Sequence, residues 1–176
     1  RRQHRVGGTA LIDHQVYRLI FDDQSVFAAT NQGLYRTSSD GTHAWTLVLA
    51  PTQGAFSPYV NHIADVAVKP GTGGRYLTAV NGWRGGSADN GIFESTDGGA
   101  NWSKVTPSGD LDGTDIGRTT LAYGGDGRLY ALMESPAYLA AGSDPTGSAT
   151  NLKGFYVSRS GNAAGPWTML ADSTKL

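Results

Sequence analysis

One pattern, written three times along the chain, constrains the fold more than any other feature. The first copy is "VYRLIFDDQSVFAATNQGLYRTSSDGTHAWTLVLA", from Val16. The second is "IADVAVKPGTGGRYLTAVN", continued after an insertion by "GIFESTDGGANWSKVTP". The third is "GRTTLAYGGDGRLYALMES", continued after a longer insertion by "GFYVSRSGNAAGPWTMLA". The glycines that open the third segment of each copy, Gly33, Gly91 and Gly154, are 58 and 63 residues apart. Such a period marks a propeller or another array of stacked units.

Each copy reads as four short strands. "LIF", "VAV" and "LAY" are compact apolar runs ending in Gly/Asp turns, and "VFAAT", "RYLTAV" and "RLYALM" are rich in residues that fit a pleated surface. "GLYRT", "GIFES" and "GFYVS" alternate apolar and polar positions, the period of a half-buried strand. "WTLVL", "WSKV" and "WTML" each begin with a Trp. Four antiparallel strands per unit make a propeller blade. The expected fold is therefore an all-β propeller of four-stranded antiparallel blades, about three of which are present. Blade 1 is expected over residues 15–50, blade 2 over 61–106 and blade 3 over 116–172, in one domain. Residues 1–14 lead in, with "RVGGTALI" a candidate outer strand of a neighbouring blade. No stretch carries a sustained helical period, the nearest being "ESPAYLAAGSD". Composition agrees with a turn-rich β fold: 25 Gly, where usage of roughly 7% would give about 12, and 16% charged residues against about 25%.

Three blades do not make a ring, since propellers typically have four to eight. Open sheet faces and edges would remain. The chain is expected to be part of a larger propeller, or to be completed by copies or partner chains. It begins at Arg1 with neither an initiator Met nor a signal peptide, which suggests processing or a piece of something longer.

Charge and residue usage exclude several classes. A net charge of −1, from 14 basic and 15 acidic residues, gives no footprint for nucleic acid or an anionic membrane. No apolar run approaches the length of a membrane helix, so membrane insertion is not expected. The absence of Cys removes a disulfide framework, a thiolate nucleophile and a Cys-type zinc site. The four His residues lack metal-ligand spacing, and "GTGGRY" is a hairpin turn without the Lys-Ser/Thr of a phosphate loop. Neither a metal nor a cofactor is expected.

Between the third and fourth strands lie "SSDGTHAW", "STDGGANW" and "SRSGNAAGPW". The second fits Ser-x-Asp-x-Gly-x-x-Trp, the first has Gly41 one place early, and the third has Ser160 in place of Asp with two extra residues before Trp167. Short Ser and Asp acceptors bond nearby backbone amides, glycine supplies positive φ, and the Trp can fold over the turn. Ser38, Asp40 and Trp45, then Ser95, Asp97, Gly99 and Trp102, then Ser158 and Trp167, are thus expected to staple turns.

On these residues the chain resembles the Asp-box, or bacterial neuraminidase repeat, β-propellers. That superfamily includes sialidases, xyloglucan-specific hydrolases, sortilin-type receptors and photosystem assembly factors. The resemblance covers residues 16–171 and implies a propeller fold with the Asp-box turns opposite the ligand site. It leaves function open, because the family spans hydrolases, receptors and chaperone-like proteins. The arginine triad, Tyr/Glu pair and acid Asp of sialidases have no position-by-position match here, and the early Arg-Ile-Pro motif is absent. The motifs around the two catalytic aspartates of the xyloglucan hydrolases are absent too.

If the Asp-box turns form one face, the opposite face collects the extra length: "NGWRGGSADN", "ESPAYLAAGSDPTGSATNLK", and the connectors "PTQGAFSPYVNH" and "TPSGDLDGTDIG". Long loops on one face of a rigid scaffold are where binding is expected. Trp83 beside Arg84 suits sugar stacking and bidentate bonds, or the Trp anchors its own loop. Tyr59 and Tyr138 are similar candidates. Candidate acids are Asp89, Asp115 and Glu134, with Asp65 in an inner strand at the position of Arg18 in the first blade. "DLDGTD", with Asp110, Asp112 and Asp115, offers oxygen ligands for Ca²⁺ or simply solvated turns. The expected function is a secreted, extracellular or periplasmic scaffold that binds a glycan or protein partner without catalysis. The alternative is part of a glycoside hydrolase, sialidase-like or xyloglucanase-like, whose cleft is completed by other blades.

Overall fold

Alternating apolar side chains on short strands give this chain three separate four-stranded antiparallel sheets. The computed structural model describes residues 10–51 and 61–175. Blade 1 is β1 (Val16–Phe21), β2 (Ser25–Thr30), β3 (Gly33–Ser38) and β4 (Thr46–Leu49), paired in that order. Blade 2 is β5 (Ile63–Val68), β6 (Leu77–Asn81), β7 (Gly91–Ser95) and the two-residue β8 (Ser103–Lys104). Blade 3 is β9 (Thr119–Tyr123), β10 (Leu129–Glu134), β11 (Leu152–Ser158) and β12 (Trp167–Ala171). The architecture is all-β, a partial propeller with blade 2 in the middle. Residues 1–9 of the leading segment, and Tyr59, lie outside the described residues, while residues 10–13 form a turn.

Two cores hold the stack together, one per blade interface. Phe27, Ala29 and Leu34 of blade 1 pack against Ile63, Val66, Leu77 and Ala79 of blade 2. From its other face, blade 2 sends Ala67, Val80 and Ile92 against Leu121, Leu129, Ala131, Met133, Tyr156 and Trp167 of blade 3. Among the described residues the innermost strands carry one buried charged side chain, Asp65, at 3% exposure. Its carboxylate accepts from Val66 N at 2.8 Å and, across the blade boundary, from Leu121 N at 2.8 Å. Arg18 of blade 1 lies 3.6 Å away. Asp65 therefore ties all three inner strands together.

The turns after β3, β7 and β11 share one end of the stack. In the second, Ser95 Oγ donates to Asp97 Oδ1 at 2.8 Å and accepts from Gly99 N at 2.8 Å. Asp97 also accepts from the amides of Ala100 and Asn101, and Trp102 Nε1 closes the turn on Gly99 O at 3.1 Å. Gly99 has φ +81°, and a Cβ there would come within 2.5 Å of Phe27 Cε1 in blade 1, so a side chain is excluded twice over. In the first turn, Ser38 Oγ donates to Asp40, which also accepts from Thr42 N at 2.9 Å. Trp45 is only half-buried and makes no bond like that of Trp102 among the described residues.

The third turn lacks the Asp and is anchored by its neighbour. Tyr76 of blade 2 accepts from Ala163 N at 2.9 Å while donating to Glu94 at 2.6 Å. Lys69 Nζ donates to Ser160 O at 3.0 Å, and Tyr123 OH to Gly161 O at 3.1 Å. Trp167, 1% exposed, keeps the closing bond, Nε1 to Ala163 O at 2.9 Å.

One short helix departs from the sequence expectation. α1 (Pro136–Ala141) forms in the long blade-3 loop because its ends are capped rather than because of periodicity. Ser135 is the N-cap and accepts from Tyr138 N at 3.0 Å, Pro136 starts the first turn, and Gly142 ends it at φ 74°. The rest of that loop is pinned by Asp144, which accepts from Ser173 Oγ, Thr146 N and Ser148 N.

Three outcomes follow for stability. Bonds from Ser38 hold the Asp40 carboxyl, and bonds from Asn101 the Asp97 carboxyl, at about 2, below the ordinary 3.8. A carboxyl lowered on folding stabilises fully above its unfolded value and loses that contribution as pH falls through its folded value. The stability of the wild-type chain should therefore fall between about pH 4 and 2, and Asp40→Ala/Asp97→Ala should flatten that limb in denaturant titrations at stepped pH. Trp167→Ala is expected to cost about 3–5 kcal/mol and Trp45→Ala clearly less, by urea unfolding; equal costs would contradict the burial difference. Asp65→Ala strands the Leu121 amide between blades and should cost about 1–3 kcal/mol.

Candidate functional site

The opposite end of the stack, where β1, β5 and β9 begin, gathers an aromatic and cationic cluster. Aligned on the strand registers, the residues just before these strands are Gln15, His62 and Arg118, one from each blade. Trp83, just past β6, is their meeting point. Its ring lies 4.5 Å from that of His62 and 5.1 Å from that of Tyr17, and the Arg118 guanidinium sits 5.2 Å over its centroid. Tyr17 stacks on His62 at 5.3 Å, and its hydroxyl bridges Gln15 Oε1 at 3.0 Å and His62 Nδ1 at 2.9 Å.

Backbone geometry explains the approach. A Cβ on Gly82 would come within 2.7 Å of Ile116 O, and one on Gly117 within 2.9 Å of Trp83 O. With glycine at both, the blade-2 loop lies directly on the strand that leads into blade 3, beside Arg118. Buried Asn90 fixes the loop's far end, donating from Nδ2 to Gly85 O at 3.0 Å and Ile116 O at 2.6 Å. Burial raises the Tyr17 pKa, partly offset by Arg118, and lowers that of His62, favouring neutral imidazole. The cluster thus presents one fixed cation, a half-buried indole and two polar ring edges. That combination suits a ligand with an apolar face and hydroxyl groups.

The residues singled out in the sequence are distributed unevenly around this cluster. Trp83 is at its centre, but its guanidinium partner is Arg118 rather than Arg84, which is exposed. Tyr138 lies on α1, beside a separate concavity of about 170 Å³. Glu134 and Arg118 line another, of about 210 Å³. Asp89 is exposed on the blade-2 loop, where Ser87 Oγ accepts from its amide. Asp115, at φ 51°, accepts from Ser135 Oγ and from Ala137 N at 2.8 Å, fastening the start of α1. Asp65 is the inter-blade tie.

The three Asp of "DLDGTD" turn to different partners: Asp110 to Met169 N, Asp112 to Lys153 Nζ at 3.0 Å, and Asp115 to the helix. Among the described residues no group of three or more His, Asp or Glu is arranged to hold a metal ion. Tyr17 and His62 were not singled out in the sequence. For His62 the signal was there in the position before each inner strand, once the copies are aligned on β1, β5 and β9 rather than on their turns; Tyr17, the second residue of β1, had none.

No protein-family model matches the sequence, and no curated protein does. Among solved structures, the chain is similar to the crystal structure of the GH74 enzyme of Niastella koreensis, at a TM-score of 0.52 and 20% sequence identity. GH74 is a glycoside hydrolase family with a β-propeller fold. The match covers 84% of this chain and 19% of that one, so the chain spans about a fifth of the enzyme's length. What the likeness carries is the fold: an all-β partial propeller of four-stranded blades.

Proposed function

We propose that the chain is a binding segment of an Asp-box-type propeller, exported from the cell, that holds a glycan at the Trp83 cluster without hydrolysing it. The observation that carries this reading is the convergence of all three blades on one half-buried indole, through Tyr17, His62 and Arg118. A sugar ring can lie against the exposed part of the aromatic group while Arg118 and the Tyr17 hydroxyl meet its hydroxyls. Two of the four candidate acids support the non-catalytic side, because Asp65 and Asp115 are engaged in holding backbone. A protein partner seated on the same face is the variant of this reading.

A second reading, part of a glycoside hydrolase, is favoured by the fold shared with a GH74 enzyme and by Glu134 beside Arg118. Hydrolysis needs two carboxyl groups, about 5–5.5 Å apart for retention or 6.5–9.5 Å for inversion. Glu134 and Asp89 are the candidate acids for that role.

Affinity electrophoresis through gels containing neutral and acidic polysaccharides separates the readings. Trp83→Ala and Arg118→Ala should each weaken retardation by about tenfold, with the fold retained by circular dichroism, while Arg84→Ala leaves it intact. Retardation unaffected by Trp83→Ala would reject the binding site. Release of reducing ends that disappears in Glu134→Gln or Asp89→Asn would replace the non-catalytic reading with the hydrolytic one.

A further inference from the structure

The two outer faces of the stack repeat, position for position, the faces already buried between blades. In blade 2 the face toward blade 1 carries the cross-strand pairs Val66–Ala79 and Val68–Leu77, and in blade 3 the equivalent face carries Leu121–Ala131 and Tyr123–Leu129. Val66 and Leu77 are 0% exposed, Leu121 1% and Leu129 0%. Blade 1 has the same ladder, Leu19–Ala28 and Phe21–Val26, with no blade beyond it among the described residues. There Leu19 is 50% and Phe21 68% exposed.

The opposite faces behave the same way. Blade 1 presents Ile20, Phe27, Ala29 and Leu34 to blade 2, and blade 2 presents Ala67, Thr78, Val80 and Ile92 toward blade 3. At those register positions blade 3 carries Ala122, Tyr130, Leu132 and Phe155, with Tyr130 stacked on Phe155 at 6.0 Å. Leu132 is 47% exposed. Among the described residues, a face of the type that blade 1 turns to blade 2 is therefore open on blade 3 at Leu132, and its complement is open on blade 1 at Leu19 and Phe21.

We propose that a second copy of this chain docks head to tail, blade 3 of each copy against blade 1 of the other. The contact continues the two interfaces already formed, with the same ladder positions facing each other. It is heterologous, so it closes only if the rotation per blade permits. Two copies give six blades, within the four to eight that propellers use.

Light scattering across about 1–100 µM chain is the test, a range that brackets ordinary self-association constants. The wild-type chain should show twice its 18.5 kDa mass. Phe21→Asp and Leu132→Asp, both at exposed positions, should each weaken association about tenfold or more by putting a charge into an apolar contact. Circular dichroism should show both variants folded. An equimolar mixture of the two should recover a dimer, because one copy retains an intact blade-3 face and the other an intact blade-1 face. A monomer at every concentration would overturn the proposal and assign the faces to blades outside these residues. A dimer insensitive to both substitutions would overturn it as well.

Discussion

A sheet that is apolar on both faces needs a neighbour on each side, and the rest of this structure depends on that constraint. Each blade carries one ladder for the blade before it and another for the blade after it, built on alternate residues of the same strands. A slip of one residue in any strand would exchange the two ladders, so register is fixed by both interfaces at once. Blade 2 alone has both faces covered within the described chain, and both cores include its residues. The one carboxylate admitted to its inner strand, Asp65, is tolerated because backbone amides of two blades and a guanidinium from a third satisfy it.

The candidate site is a by-product of this stacking. Tyr17, His62 and Arg118 belong to different blades and are far apart in sequence, yet each stands where an inner strand begins. Stacking the blades brings those strand starts together around the mouth of the stack. No single blade contains the cluster. Gly82 and Gly117 then set how closely the Trp83 loop can lie on the next blade, which puts the indole under Arg118.

Strand identity and blade order were legible in the sequence because alternation and repetition are local properties, visible in "GLYRT" or in the recurrence of Gly33, Gly91 and Gly154. The opposition of turn face and loop face was legible too, since it follows from strand direction once four strands are counted. What the sequence hid depends on contacts across blades. Trp83 was recognisable as an aromatic in a long loop, but its partner could not be read from its neighbour Arg84, because a guanidinium 35 residues away in the chain is the nearer one. Asp65 and Asp115 looked like candidate acids because residue type says nothing about which amides a carboxylate faces. The helix at Pro136–Ala141 lies in the stretch nearest to a helical period, yet its formation rests on caps at Ser135 and Gly142 and on Asp115 from a different loop rather than on periodicity.

The third turn shows what happens when a local device is given up. The turns holding Asp40 and Asp97 carry most of their bonds within a few residues, so each can form as soon as its own hairpin does. The turn at residues 158–167 takes its anchors from Tyr76, Lys69 and Tyr123, two of which belong to blade 2. Its local bonds, such as Ser158 Oγ to Asn162 O and Trp167 Nε1 to Ala163 O, are supplemented by bonds from a neighbouring blade. Local opening of blade 2 must therefore loosen the far end of blade 3, making the pair a single cooperative unit, whereas the first blade retains a turn that can hold its shape alone.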